Sequence, residues 1–171
     1  MRQKGYWLAF SLFLFVCLSF SNGLRAQGRT YKSLREALAE KDSVESLDLS
    51  RQGLTAVPIE ILEFRNLKRL RLYRNKLDSV PVWLTSLEHL HYLDLSSNYI
   101  DSLDGRLSSL PLDTLVMWDN PIYSFPESFS DMDLKYLDLR AIQMNRDEQR
   151  AIRALFPNAR IRMDHPCNCG R

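Results

Sequence analysis

Leucines recur along most of the chain in a pattern that repeats every 22 or 23 residues. Each copy contains the spacing L-x-x-L-x-L, whose last three positions alternate apolar, polar and apolar, as in a strand with one buried face. One such strand per copy, always in the same orientation, predicts a parallel sheet whose crossovers occupy the rest of each copy. The five copies begin at Val44, Leu67, Leu90, Leu112 and Leu134. The apolar pairs of their strands are Leu47/Leu49, Leu70/Leu72, Leu93/Leu95, Leu115/Met117 and Leu137/Leu139.

The second half of each copy predicts a short helical or 3₁₀ turn, because its apolar residues are three or four positions apart. A proline, which is tolerated where such a turn begins, follows the first of these apolar residues in three copies, and Asp104 stands there in the fourth. A unit of this kind cannot bury its own apolar side, so the core has to form between stacked neighbours. The three prolines are Pro58, Pro81 and Pro126.

Five matches in phase to L-x-x-L-x-L-x-x-N-x-L resemble the leucine-rich repeat family over residues 44–144. The resemblance implies an α/β solenoid, with a curved parallel sheet on its concave face and short helical or 3₁₀ turns on its convex face. It also implies a ladder of buried asparagines that hydrogen-bond the backbone of adjacent turns. The ladder residues are Asn75, Asn98 and Asn120, and Gln52 and Ile142 replace asparagine in the first and last copies.

A cap is expected before the repeats, because an open solenoid would expose its core. Within residues 27–43, Ser33 and Glu36 have the spacing of a capping box. We therefore predict a capping helix over residues 33–40.

A second cap is expected in residues 145–163. Asn145 and Glu148 repeat the capping-box spacing, and Pro157 ends the apolar stripe that follows them. Residues 159–163 then alternate as a final strand, which we expect to pair beside residues 136–140 with slow amide exchange at Ile161.

The first 26 residues predict a secretory signal peptide. Arg2 and Lys4 precede an apolar run that ends at Phe20 and is shorter than the about 20 residues that a membrane-spanning helix needs. Cleavage after Ala26 fits best, and cleavage after Gly23 is the alternative. A retained anchor and a lipid-modified Cys17 are weaker interpretations. We expect a short secreted or periplasmic protein of bacterial origin, which contacts the membrane only if the leader is uncleaved.

Charge and composition exclude several classes of protein. The chain has 171 residues, of which 45% are hydrophobic, too many for an intrinsically disordered chain. Its 23 Lys and Arg against 21 Asp and Glu become 20 against 21 once Arg2, Lys4 and Arg25 are removed with the leader. No basic excess remains to indicate a nucleic-acid partner.

The C-terminal residues 164–171 offer the strongest candidate for metal or thiol chemistry. Cys167 and Cys169, with His165 nearby, are ligand types for zinc or copper, but a structural zinc site usually takes four ligands. We therefore predict a flexible tail whose cysteines are inert, locally paired or linked to another chain through an intermolecular disulfide. Because the chain also has no recognised catalytic motif, we predict no metal site, no cofactor and no enzymatic activity.

The polar positions of the strands are expected to line the concave face, where strands about 4.8 Å apart bring equivalent residues into columns. Several of these positions hold tyrosine, tryptophan or arginine, the residue types enriched at binding hot spots, although aromatics also favour strands for structural reasons. Asp48, Arg71 and Asp94 additionally predict a salt-bridge ladder. The predicted partner-binding residues are Arg69, Arg71, Tyr73, Tyr92, Asp94, Val116, Trp118, Tyr136 and Asp138.

The sequence therefore predicts a non-catalytic module that binds an unidentified protein or peptide through the concave face of a solenoid. This functional step follows from the family resemblance, since a fold does not fix a function. A self-associating envelope or surface structural protein is the alternative. A metal- or thiol-dependent enzyme that uses the C-x-C tail is the least supported interpretation.

Overall fold

All strands in the described part of the chain lie in one parallel sheet. The computed structural model describes residues 28–167. Each strand pairs in parallel with the strands before and after it in the chain, which confirms the predicted leucine-rich repeat solenoid. The strands are β1 (Thr30–Tyr31), β2 (Ser46–Asp48), β3 (Arg69–Arg71), β4 (Tyr92–Asp94), β5 (Thr114–Val116), β6 (Tyr136–Asp138) and β7 (Arg160–Arg162).

The register of the sheet aligns equivalent positions of the repeats. Leu47 pairs with Leu70, Leu70 with Leu93, and the same column continues through Leu115 and Leu137. All five side chains are at most 2% exposed. The repeat period thus becomes a buried apolar column, and the core runs from one repeat to the next.

Four short 3₁₀ helices of the repeats form the convex side, and each is preceded by proline except one. In the exception, the Asp104 carboxylate accepts the backbone N–H of Arg106 at 2.9 Å and pairs with its guanidinium at 2.7 Å. These hydrogen bonds hold the pKa of Asp104 at about 2, below its ordinary 3.8. A side-chain cap therefore starts this helix where proline starts the others. The helices span Ile59–Glu63, Val82–Ser86, Gly105–Ser109 and Glu127–Asp131.

A left-handed residue turns the chain out of each of the five repeat strands. These residues have φ between 51° and 61°, a conformation that residues other than glycine adopt rarely. In all but the last, the amide donates to the next repeat, as Arg74 N does to the Ser96 carbonyl at 2.9 Å. The inter-repeat bond thus holds the turn in place. The residues are Arg51, Arg74, Ser97, Asp119 and Ala141.

The three ladder asparagines are buried and joined to neighbouring repeats. Asn98 Nδ2 donates to the carbonyls of Leu72 and Leu95 at 3.0 and 2.8 Å, and its Oδ1 accepts the Leu77 N–H at 3.0 Å. Asn75 and Asn120 make the equivalent bonds one repeat away. Each side chain therefore satisfies backbone groups that would otherwise be buried without partners.

The N-terminal cap differs from the prediction in two respects. Helix α1 (Leu34–Ala39) begins after Ser33, but the Ser33 side chain makes no capping hydrogen bond. Glu36, which the capping box requires, instead lies 3.7 Å from Arg29. Strand β1 was not predicted; it extends the sheet through the buried Tyr31, whose hydroxyl donates to Glu40 at 2.6 Å.

The C-terminal cap follows its predicted plan. Helix α2 (Arg146–Leu155) has a complete capping box, in which Asn145 Oδ1 accepts the Glu148 N–H at 3.0 Å and Glu148 Oε2 accepts the Asn145 N–H at 2.7 Å. Strand β7 pairs with β6, and Arg160 N donates to the Lys135 carbonyl at 2.8 Å. Backbone N–H groups alternate between the two sides of a strand, so the Ile161 amide points away from β6, to the outer edge of the sheet. Slow amide exchange, which was predicted at Ile161, is therefore expected at Arg160 instead.

Residues 164–167, predicted as the start of a flexible tail, lie against the C-terminal cap. Gln149 Nε2 donates to the Asp164 carbonyl at 3.0 Å, and Cys167 N donates to the Met144 carbonyl at 2.9 Å. The predicted signal peptide and the rest of the tail, including Cys17 and Cys169, lie outside the described residues. Within residues 28–167, no helix has the length and apolar character required to cross a membrane.

Candidate functional site

Three columns of side chains cross the concave face of the sheet, in the order that the sequence predicts. The register sets the first two, and the residues that follow each strand form the third. The first column is Ser46, Arg69, Tyr92, Thr114, Tyr136 and Arg160. The second column is Asp48, Arg71, Asp94, Val116, Asp138 and Arg162. The third column is Ser50, Tyr73, Ser96, Trp118 and Arg140.

Arg160 and Arg162 also lie on this face, although they were not among the predicted residues. Both lie on β7, where they pair with Tyr136 and Asp138 respectively. Both are exposed. The sequence contained the information needed to place them there. A final strand over residues 159–163 was predicted, and extending the columns by that strand puts both arginines on the face.

The aspartates of the second column accept hydrogen bonds from their own chain. Asp94 is only 5% exposed, and its Oδ1 accepts both the backbone N–H and the hydroxyl of Ser96, at 3.1 and 2.5 Å. Asp48 makes the same two contacts with Ser50. Each carboxylate therefore holds the end of its strand in shape, which is the role of an Asx turn.

Arg71 bridges two of these aspartates, as the predicted salt-bridge ladder requires. Its guanidinium lies 3.7 Å from the Asp48 carboxylate and 3.6 Å from that of Asp94. Because the Arg71 side chain is itself 45% exposed and neither contact is closer than 3.6 Å, each pair contributes only about 0–1 kcal/mol to stability. The Arg71 guanidinium thus contacts both carboxylates on the floor of the face and offsets the charge of one of them.

Arg140 neutralises the charge of Asp138. Asp138 is 2% exposed, and the Arg140 guanidinium contacts both of its oxygens, at 2.9 and 2.7 Å. Burial raises the pKa of Asp138, but hydrogen bonds from Arg140 and Tyr136 lower it by more, so its pKa lies below the ordinary 3.8. The carboxylate stays charged and paired.

Tyr73 and Trp118 form an aromatic pair over the middle of the face. Their ring centroids are 5.5 Å apart with planes tilted by 40°. The two residues belong to the third column on either side of Ser96, which is fully buried. The rings therefore meet above Ser96, where only a small side chain fits. The Arg51 guanidinium lies 5.5 Å from the Tyr73 ring and extends the pair toward the rim.

Arg69 and Tyr92 form a second contact, in the first column. The Arg69 guanidinium lies 4.2 Å from the centroid of the Tyr92 ring, within cation–π range. Burial and the nearby charge of Asp94 raise the pKa of Tyr92, so the phenol stays neutral at physiological pH. Arg69 itself remains exposed.

Six of the nine predicted partner-binding residues are accessible on the face. The other three are Asp94, Val116 and Asp138, which are at most 9% exposed and offer almost no contact area. We therefore do not retain them as contact residues. The accessible six are Arg69, Arg71, Tyr73, Tyr92, Trp118 and Tyr136.

The tail offers no metal site within the described residues. Between residues 28 and 167, no three His, Cys, Asp or Glu side chains cluster closely enough to hold a metal ion. Cys167 is disulfide-bonded, which removes its thiol from metal binding and from pairing with a second chain. His91, at a strand entry, has its Nδ1 2.9 Å from the Pro111 carbonyl oxygen.

Comparison with known proteins gives matches to leucine-rich repeats. The family model described as Leucine rich repeat matches residues 42–100. Among solved structures, an internalin (inlF) of Listeria monocytogenes is 18% identical with a TM-score of 0.56, covering 72% of this chain and 37% of its own. TLR13, in a complex with ssRNA13, is 29% identical with a TM-score of 0.54, covering 69% and 17%. A leucine-rich repeat protein of Leptospira interrogans is 20% identical with a TM-score of 0.49, covering 81% and 49%.

The repeats and the parallel solenoid give this chain the leucine-rich repeat fold, and residues 42–100 match the family model. The chain spans less than half the length of each of these three solved chains. No curated protein matches it.

Proposed function

We propose that this protein is a non-catalytic interaction module, exported from the cell, which binds a protein or peptide partner on the concave face. The observation that carries the proposal is the Tyr73–Trp118 pair, which is partly exposed and fixed above the buried Ser96. Rigid aromatic side chains bind at low entropic cost, because little rotational freedom remains to be lost.

The backbone beneath the pair supports the proposal. Every strand is hydrogen-bonded to its neighbours, and the ladder asparagines join successive repeats. A partner therefore meets a preorganised surface. Five intervals between six strands make this surface about 24 Å wide, which suits an interface on the order of 800 Å² per partner.

Export is proposed from the leader-like sequence of residues 1–26. N-terminal sequencing of the protein recovered from its native host tests it. A mature chain that begins at Gln27 or Leu24 supports export, and a retained Met1 contradicts it.

The test of partner binding is affinity capture with the chain from Gln27 onward, followed by measurement of Kd for the captured protein. Replacing Tyr92 and Trp118 by alanine should weaken binding at least about 30-fold, because the loss of a hot-spot side chain costs about 2 kcal/mol or more, and 2 kcal/mol corresponds to about a 30-fold change in Kd. The melting temperature should change little, since neither side chain lies in the core.

A matched control removes two exposed apolar side chains elsewhere. Ile59 is 54% exposed on a convex 3₁₀ helix and Tyr99 is 64% exposed beyond the third column, so the double alanine variant should bind the partner normally. Equal binding by both double variants would remove the concave face from the proposal.

A further inference from the structure

We propose that the partner of the concave face presents an acidic protein segment, whose carboxylates pair with Arg69 toward one end of the face and with Arg160 and Arg162 at the other. This inference rests on the proposed function and specifies the chemistry of the partner. It follows from an imbalance between the acidic and basic side chains of the three columns.

The acidic side chains of the columns are already committed within the chain. Asp48, Asp94 and Asp138 each accept hydrogen bonds from the chain segment that follows their own strand. Their side chains are 18%, 7% and 3% exposed. A partner would find little accessible negative charge on the face.

The basic side chains of the columns exceed what these aspartates neutralise. Arg71 pairs with two of them and Arg140 with the third. Arg69, Arg160 and Arg162 are exposed and form no salt bridge with any of the residues described between 28 and 167. Three guanidinium groups therefore remain available to a ligand.

The charge of the face is opposite to that of the rest of the described chain. The columns hold five arginines and three aspartates, a formal charge of +2. Residues 28–167 together hold 19 Lys and Arg against 21 Asp and Glu, a formal charge of −2, which leaves −4 outside the columns. This segregation favours an acidic ligand on the concave face and disfavours it elsewhere.

The distance between the free arginines indicates how far apart the carboxylates of the partner segment lie. Arg69 lies on β3 and Arg160 on β7, four strand intervals or about 19 Å apart. Tyr92, Thr114 and Tyr136 lie between them in the same column. An extended segment with carboxylates at both ends and about six less polar residues between them matches this row.

The same observations disfavour nucleic acid. Nucleic acid requires a continuous basic stripe, whereas aspartates occupy three of the six positions in the second column. The Tyr73 and Trp118 planes are tilted by 40° against each other and do not form one flat stacking platform.

The test uses fluorescein-labelled peptides with a central segment of about six Tyr, Leu and Thr residues. One peptide has two glutamates at each end and the other has glutamines there. Fluorescence anisotropy should show the glutamate peptide binding at least about tenfold tighter than the glutamine peptide. An oligouridylate and a polygalacturonate of equal charge to the glutamate peptide are the competing probes.

The variant that tests the site is R69E/R160E/R162E, and its matched control is R35E/R65E/R153E. The control changes the net charge equally at three exposed arginines outside the columns. The first variant should lose the preference for glutamate over glutamine, and the control should keep it to within about twofold. If circular dichroism shows that the first variant is unfolded, R160Q and R69Q replace it, and each should reduce the preference at least about threefold.

Three binding results would overturn the acidic segment. The inference is overturned if both triple variants lose the preference for the glutamate peptide, or if neither does. It is also overturned if the oligouridylate or the polygalacturonate binds more tightly than the glutamate peptide. Once the natural partner has been captured, the binding of a partner on the concave face and the acidic nature of its segment can be tested separately. Capture that survives R69E/R160E/R162E but fails without Tyr92 and Trp118 overturns the acidic segment alone, whereas capture that survives both changes overturns the concave face as well.

Discussion

The carboxylate of Asp164 accepts the backbone N–H of Ala141 at 2.6 Å, at the point where the last repeat has no successor. In earlier repeats the equivalent amide donates to a backbone carbonyl of the next repeat, as Asp119 N does to the Arg140 carbonyl at 3.0 Å. A side chain thus takes the place of the missing repeat. This contact explains how Ala141 can hold a φ of 57° without a following turn.

Replacing Asp164 by alanine should lower the free energy of unfolding by about 1–2 kcal/mol. The change leaves the Ala141 amide without its charged acceptor at a strained residue. Urea titration measures the effect. The exposed Asp131 provides the control, since D131A should change stability by less than about 0.5 kcal/mol. Equal effects of the two variants would mean that the contact with Ala141 contributes nothing.

Replacing Asn98 by alanine should cost about 3 kcal/mol or more. Two buried carbonyls, of Leu72 and Leu95, and the Leu77 N–H would lose their partner together. Thermal or urea unfolding measures the loss. Asn158 is exposed, and N158A should fall within about 0.5 kcal/mol of the wild type. A loss below about 1 kcal/mol for N98A would show that water replaces the amide.

Replacing Ser96 by leucine should separate the Tyr73 and Trp118 rings and destabilise the fold by about 2 kcal/mol. No exposed space exists at Ser96, so the larger side chain has to displace the rings above it. The near-ultraviolet circular dichroism of the aromatic pair should change at the same time. Ser130 is exposed on a convex 3₁₀ helix, so S130L should leave that spectrum unaltered.

The stability of the fold should fall in acid partly through Asp138. Its pKa is lower in the folded state than its ordinary 3.8, so its stabilising effect is complete above pH 3.8 and is lost as the pH falls through the folded pKa. D138N should therefore be less stable than the wild type near neutral pH, and the difference should shrink below pH 3.8. Urea titrations across this range measure it. A difference that stays constant with pH would contradict the assignment.

The repeats could be predicted from the sequence because their information is local and periodic. Leu47, Leu70 and Leu93 share a column in the sheet as they share a position in the repeat. The capping patterns carry less information. Asn145 and Glu148 form their box, whereas Glu36 turns to Arg29, a residue that the local pattern does not include.

The accessibility of the concave face could not be predicted in the same way. The columns follow from the repeat, but whether a column residue is exposed depends on side chains of adjacent strands. Asp94 is covered because Arg71 bridges to it and Ser96 turns back to it. The aspartate-x-serine pattern at Asp48 and Asp94 was a usable signal for these turns, since a serine hydroxyl two residues on is well placed to bond the carboxylate.

The arginines of β7 also have a consequence for how two molecules can meet. Among residues 28–167, no strand pairs with the outer edge of β7, and an open strand edge is the kind of template on which identical chains join end to end. If two copies met there in antiparallel fashion about Ile161, Arg160 of each would face Arg162 of the other. Four like charges would then be brought together at the junction. The charges of the terminal strand therefore disfavour end-to-end joining of identical chains at this edge.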